Sequence, residues 1–239
     1  MSLNFLKPST DIKEATDTLG GGFVWDSGAH PVVIDSVYLD QSTGGAYNLN
    51  FTFKTAEGKT LSETIYISSG TAKGTLNYYV DKKGVKQYLP GFVVANDIAL
   101  ICTGKDLGDL ETEDKMVDVY NPELGKKAPA SKPVFMDLIG KQIQLGIHKI
   151  REFKQAKNAE GKYVDTAETR EKNEIVKVFS EEGMTVVEAK AGLEAPEFFA
   201  KWVERNGADY VKDKTKGATP AAGGGGSPAA TPSKSLFNK

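Results

Sequence analysis

One cysteine and two histidines among 239 residues set the first limits on this chain. Cys102 has no second cysteine with which to close an intramolecular disulfide. Together with His30 and His148 it is too little for a zinc centre of cysteine and histidine ligands. The same scarcity leaves no convincing Ser-His-Asp set, and no phosphate loop of the GxxxxGK type occurs despite the glycine run at Gly223. No cluster of carboxylates falls at an expected strand end, as a metal-dependent nuclease would need. Magnesium sites have no feature in their favour, so no metal, no cofactor and no catalysis are expected. Nowhere do ~18 apolar residues run together as a membrane span requires, and the opening MSLNFLKPSTDIKEAT has no long apolar core. A soluble, unsecreted protein without a membrane partner is expected. Net charge is also lacking: 30 Lys and Arg stand against 32 Asp and Glu, so the total charge names no partner.

What is present is β patterning. The run VVIDSVYL over 32–39 is rich in β-branched and aromatic residues, and after the turn signal at 42–45 YNLNFTFKT alternates apolar and polar positions. Leu49, Phe51 and Phe53 point to one face; Asn48, Asn50, Thr52 and Lys54 point to the other. A third strand, TLSETIYISS, follows Glu57-Gly58, with Leu61, Ile65 and Ile67 read as too irregular for one face and suited to a bulge. The glycine-punctuated segment 70–91 reads as a long hairpin or flap. Phe92, Ala95, Ile98, Ala99 and Cys102 have helical spacing after Pro90-Gly91, giving a helix of about three turns. The acidic stretch from Asp106 to Asp118 reads as a solvated loop that could compete with an anionic partner for lysines, and APASKP continues it as loop. IQLGIHKIREF and NEIVKVFS are two further strands flanking a polar excursion. MTVVEAK reads as a short strand, and APEFFAKWVERNG carries the signals of a C-terminal helix.

The fold expected is therefore mainly β. Three strands, a helix and two strands fit an OB-like five-stranded barrel with an inserted helix, a C-terminal helix and a disordered tail. One domain over 1–211 is expected, followed by a basic Gly/Ala/Pro-rich tail over 212–239 whose composition cannot offset the entropy of ordering.

Between Phe51 and Tyr88 the chain concentrates Tyr66, Tyr78, Tyr79 and Tyr88 among Lys54, Lys59, Lys73, Lys82, Lys83 and Lys86. Only Glu57, Glu63 and Asp81 oppose them. Holding unpaired nucleic acid without reading its sequence needs cations along the phosphates and flat side chains for the exposed bases. Tyrosines beside lysines supply both. Tyr78 and Tyr79 are adjacent in a strand and point to opposite faces, so at most one can enter a core. Lys82, Lys83 and Lys86 around Asp81 and Gly84 equally suit a solvated hairpin tip. Tyr38, Tyr47 and Tyr210 are read as structural, and His148 as packed within an apolar strand.

The run SSGTAKGTLNYYVDKKGVKQYLPGF, the helix FVVANDIALICTGK after it, the opening SLNFLK and the closing SLFNK resemble single-stranded DNA-binding proteins of tailed phages, including podophages that carry a giant virion RNA polymerase. The resemblance implies an OB-fold and sequence-independent binding of single strands in DNA replication and recombination, inside the cytoplasm of an infected bacterium. It also implies contacts to phage replication proteins or host RNA polymerase, the latter in late transcription. By position it puts Tyr78, Tyr79, Lys73, Lys82 and Lys83 in or beside the DNA groove. The tail departs from the acidic pattern common in such proteins: from Lys212 onward it has five lysines and one acid, Asp213. Its apolar pair Leu236 and Phe237, with Lys234 and Lys239, is the candidate docking peptide for a partner. The rival reading is a β-rich phage structural or adaptor protein in which the tyrosine and lysine run is an assembly surface.

Overall fold

Alternation of apolar and polar side chains dictates the first three strands, and they form as a meander in the computed structural model, which describes residues 24–121 and 123–216. β1 (Gly28–Gln41), β2 (Tyr47–Lys54) and β3 (Thr60–Tyr66) pair antiparallel in sequence order. Leu49, Phe51 and Phe53 are buried on one face of β2, with the two phenyl rings stacked 5.1 Å apart. Leu61, Glu63, Ile65 and Ile67 alternate regularly, and β2 and β3 pair without a register shift. The irregularity expected in β3 is instead one glutamate at an inward position. The bulge lies in β1, between Ile34 and Ser36. It lets one long strand serve two partners: β1 pairs with β2 from Val33 to Gln41 and with β8 (Gln142–Lys157) from Gly28 to Val33.

β4 (Tyr78–Val80) and β5 (Lys86–Tyr88) form a separate two-stranded ribbon leading straight into α1 (Pro90–Thr103). Pro90 opens α1 and Gly104, at φ 73°, closes it, the asymmetry expected of helix ends. Ala95, Ile98 and Ala99 are buried in the core, with Phe92 and Cys102 half-buried around them. α1 packs on β3, β8 and β9 (Tyr163–Phe179) and so covers one end of the curved sheet.

Other segments differ from expectation as well. The acidic stretch and APASKP form a hairpin, β6 (Glu113–Asn121) with β7 (Lys126–Val134), not a loop. Both of its faces are largely wet, so no continuous apolar stripe marks it; Pro129 and Pro133 are tolerated because β7 pairs with β6 on one side and meets β1 on the other only at Val134. MTVVEAK forms a helix, α2 (Val186–Lys190). Thr185 and Glu188 close a capping box across its first turn, a signal stronger than the β-branched pair Val186-Val187. Burial pushes the Glu188 carboxyl up, but hydrogen bonds from Thr185, Phe198 and Glu197 outweigh it and bring the pKa down to about 2.

The polar excursion between β8 and β9 is largely a continuation of their ladder, which closes over Asn158 to Lys162. α3 (Phe198–Arg205) is the expected C-terminal helix, with Trp202 buried and stacked on His148, whose Nε2 meets Asn206 Oδ1 at 2.8 Å. β10 (Val211–Asp213) runs parallel to β8, so the expected end of the domain at 211 falls inside a strand. The main sheet therefore runs β9, β8, β1, β2, β3. Among the described residues β3 and β9 do not pair, and the sheet is curved but not a closed barrel of five strands. Ten strands and three helices are described, and none of those helices is long and apolar enough to cross a membrane.

Candidate nucleic-acid interface

The ribbon between β4 and β5 turns at Asp81. Its carboxylate accepts backbone hydrogen bonds from Val85 and Lys83, which hold it below the ordinary carboxylate range, while Gly84 supplies the positive φ of 79°. With the carboxylate occupied by the turn, Lys82 and Lys83 stand exposed at the tip. Register sets the two faces of the ribbon. Tyr78 lies opposite Tyr88 and Val80 opposite Lys86 on one face; Tyr79 lies opposite Gln87 on the other. Lys86 Nζ sits 4.7 Å from the centre of the Tyr78 ring. The Tyr88 ring is 5.1 Å from that of Phe92, which ties the base of the ribbon to α1. Tyr79 is exposed, and Tyr78 is half-buried beneath Lys86.

At the base of the ribbon a cleft of about 670 Å³ lies over the unpaired seam between β3 and β9. Tyr66 and Tyr88, 51% and 61% exposed, both line it, with Ile65, Val94, Ile175 and Lys212. Gly91 makes this approach possible, because a side chain there would collide with the Tyr66 carbonyl. Inside the seam, burial raises the pKa of Glu63; Lys172 opposes the rise and Glu174 adds to it.

The candidate residues thus divide. Tyr66, Tyr78, Tyr88 and Lys86 converge at one end of the sheet, with Lys82 and Lys83 on the overhanging tip. Lys73 sits nearby on a short turn that hydrogen-bonds back to Gly44 through Thr71. Tyr79 faces away from that convergence. Lys54 and Lys59 lie at the opposite end of β2 and β3, about 20 Å along the strands from Tyr66 at the usual rise per residue. Lys234, Leu236, Phe237 and Lys239 lie outside the described residues.

Lys54, Lys73, Lys82, Lys83 and Lys86 form no ion pair among the described residues, whereas the cations of β8 and β9 are largely engaged. Sequence reasoning missed Tyr38, Tyr120 and Lys127, which line a second hollow over the polar face of β1 to β3. The alternation that defines that wet face was the available signal; the hairpin above it was not legible. Comparison with protein-family models finds no match, and comparison with curated proteins finds none.

Proposed function

We propose that this chain is a sequence-independent single-stranded DNA-binding protein of the tailed-phage type, acting in DNA replication and recombination in the cytoplasm of the infected cell, with no catalytic step of its own. The observation that carries this is the meeting of Tyr66 and Tyr88 at the seam cleft, with Tyr78 opposite Tyr88 on a ribbon whose lysines form no ion pair among the described residues. Exposed rings offer stacking worth ~1–3 kcal/mol per base, and unpaired ammonium groups release counterions when they meet phosphates. A duplex hides its bases and can use only the second contact, so both together favour the open strand.

Connectivity supports an OB-like scaffold. β1, β2, β3, α1, β8 and β9 follow the strand and helix order of that fold, and β1 is shared between β2 and β8 as a Greek-key barrel requires. In such a scaffold the face of the second and third strands and its adjoining loops meet the nucleic acid. Here that is the face ending at Tyr66. In this reading the C-terminal Leu236 and Phe237, flanked by Lys234 and Lys239, contact replication proteins or the host RNA polymerase.

The test is fluorescence-polarisation titration of a labelled oligo-dT and a matching duplex across a salt series, with the intact protein and with Tyr66→Ala combined with Tyr88→Ala. Salt-sensitive preference for the single strand, lost in the double variant, is expected. Equal or absent binding to both nucleic acids would reject the reading and leave an assembly protein.

A further inference from the structure

The outer face of β1, β2 and β3 is polar and, at its centre, uncharged. Tyr38, Asn50 and Thr64 form one rung across the three strands, and Ser36, Thr52 and Ser62 form the next. Asn50 Nδ2 donates to Asn48 Oδ1 and Thr64 Oγ1 donates to Asn50 Oδ1, both at 2.8 Å, which fixes the amides of this floor. Above it stands the hairpin of β6 and β7. Val117, Asp118, Tyr120 and Lys127 share with Tyr38 and the floor a channel of about 420 Å³.

Among the described residues the hairpin is fastened only near its root. β7 pairs with β1 at a single position, Tyr38 opposite Val134, and Lys132 makes a 2.6 Å ion pair with Asp40. Beyond that root the hairpin overhangs the sheet. Near its tip Tyr120 and Lys127 are cross-strand partners; the tyrosine is 65% exposed and the lysine forms no ion pair among the described residues. They bring a tyrosine beside a lysine that forms no ion pair, as Tyr78 and Lys86 do on the β4 and β5 ribbon. Glu63 and Thr64 line both the channel and the seam cleft, so the two hollows are contiguous along β3.

We propose that the β6 and β7 hairpin is a second wall of the nucleic-acid site. A single strand held at Tyr66 and Tyr88 continues along β3 into the channel, where a base stacks on Tyr120 and Lys127 meets a phosphate. The floor suits bases of any sequence, because amide and hydroxyl groups both donate and accept and can serve any base edge. This inference rests on the proposed single-strand binding, and it assigns a role to a hairpin that a five-stranded barrel does not need.

The experiment uses the full chain and a fluorescent oligo-dT, with dissociation followed by stopped flow after addition of excess unlabelled competitor. Tyr120→Ala is expected to release the oligonucleotide about tenfold faster, the equivalent of one lost stack, while Tyr120→Phe keeps the wild-type rate. Tyr120→Trp supplies a direct readout, since Trp25 and Trp202 are buried and an exposed indole at 120 should be quenched on binding. Lys127→Ala should lower the salt slope of the affinity by about 0.7, one phosphate contact on a single strand. Unchanged release from Tyr120→Ala and an unquenched indole at 120, in a protein whose binding still collapses with Tyr88→Ala, would overturn the inference and leave the function standing. Failure of the wild-type protein to bind the oligonucleotide at all would remove both.

Discussion

Two hairpins of this molecule both carry lysines and tyrosine, and they differ in what the lysines are doing. On the β4 and β5 ribbon, Lys82, Lys83 and Lys86 have no carboxylate partner among the described residues, and the one acid at the turn, Asp81, is occupied by backbone. On the β8 and β9 hairpin, Arg151 meets Glu171 at 2.9 Å, Lys154 meets Glu168 at 2.9 Å, and Arg170 and Lys172 share Glu152. Both hairpins even place a lysine over a tyrosine ring, Lys86 over Tyr78 and Lys157 over Tyr163. On the proposed function, basic residues mark a polyanion site by their pairing state, not by their number. A lysine already satisfied by a carboxylate must break that contact before it can meet a phosphate.

The strongest way to break the comparison is to neutralise each set in turn. Lys82→Ala, Lys83→Ala and Lys86→Ala together should weaken oligo-dT binding roughly a hundredfold at low salt and lower the salt slope by about 2. The matched triple Arg151→Ala, Lys154→Ala and Lys162→Ala should leave both nearly unchanged. Similar losses in the two triples, read from titrations at several salt concentrations, would show that total charge governs binding after all.

A smaller effect separates the tyrosines. Tyr88→Ala should cost about 1–3 kcal/mol of binding, and Tyr163→Ala, equally exposed, should cost nothing measurable. Isothermal titration of both variants with the same oligonucleotide decides it.

The smallest effect sharpens the pairing argument itself. Burial pushes the Glu152 carboxyl up, but hydrogen bonds from Arg170 and Lys172 outweigh it and hold it below the ordinary range; a hydrogen bond from Lys154 does the same for Glu168. Carboxyls held low in the folded state stabilise the hairpin above their unfolded pKa of about 4.3 and lose that contribution as pH falls through the lowered folded values. Protection against hydrogen exchange over residues 150–172, taken relative to the intrinsic exchange rate at each pH, should therefore fall between neutral pH and pH 3. Glu152→Gln frees Arg170 and Lys172 at neutral pH and should raise oligonucleotide affinity two- to threefold. No gain in that titration would mean that position along the sheet matters more than pairing.

Much of the scaffold was legible because local chemistry and tertiary packing agree there. Alternation in 47–54 gives β2, and Pro90 with Gly104 brackets α1. The β6 and β7 hairpin was not legible, since prolines and charges on a two-sided wet ribbon look like loop until its partner is known. At α2 the capping box is readable in Thr185 and Glu188, and in the fold it overrides the strand preference of Val186 and Val187. Of the site, the tyrosine and lysine run stands out in the residues alone. Its division does not: strand register, not sequence distance, puts Tyr66 beside Tyr88 and leaves Lys54 and Lys59 at the far end of β3. Pairing states are hidden for the same reason, because Arg151 finds Glu171 only through the β8 and β9 ladder.

Glu63 has a further consequence for the isolated protein at high concentration. Among the described residues the open sheet leaves β3 with an unpaired backbone edge, and Leu61 and Ile65 on that edge would extend a continuous apolar stripe if position 63 were apolar too. An inward charge on an edge strand penalises any second chain that tries to add itself there, since docking would strip its water. Glu63→Val would remove that penalty, and light scattering at high concentration is expected to show more self-association in that variant than in the wild type.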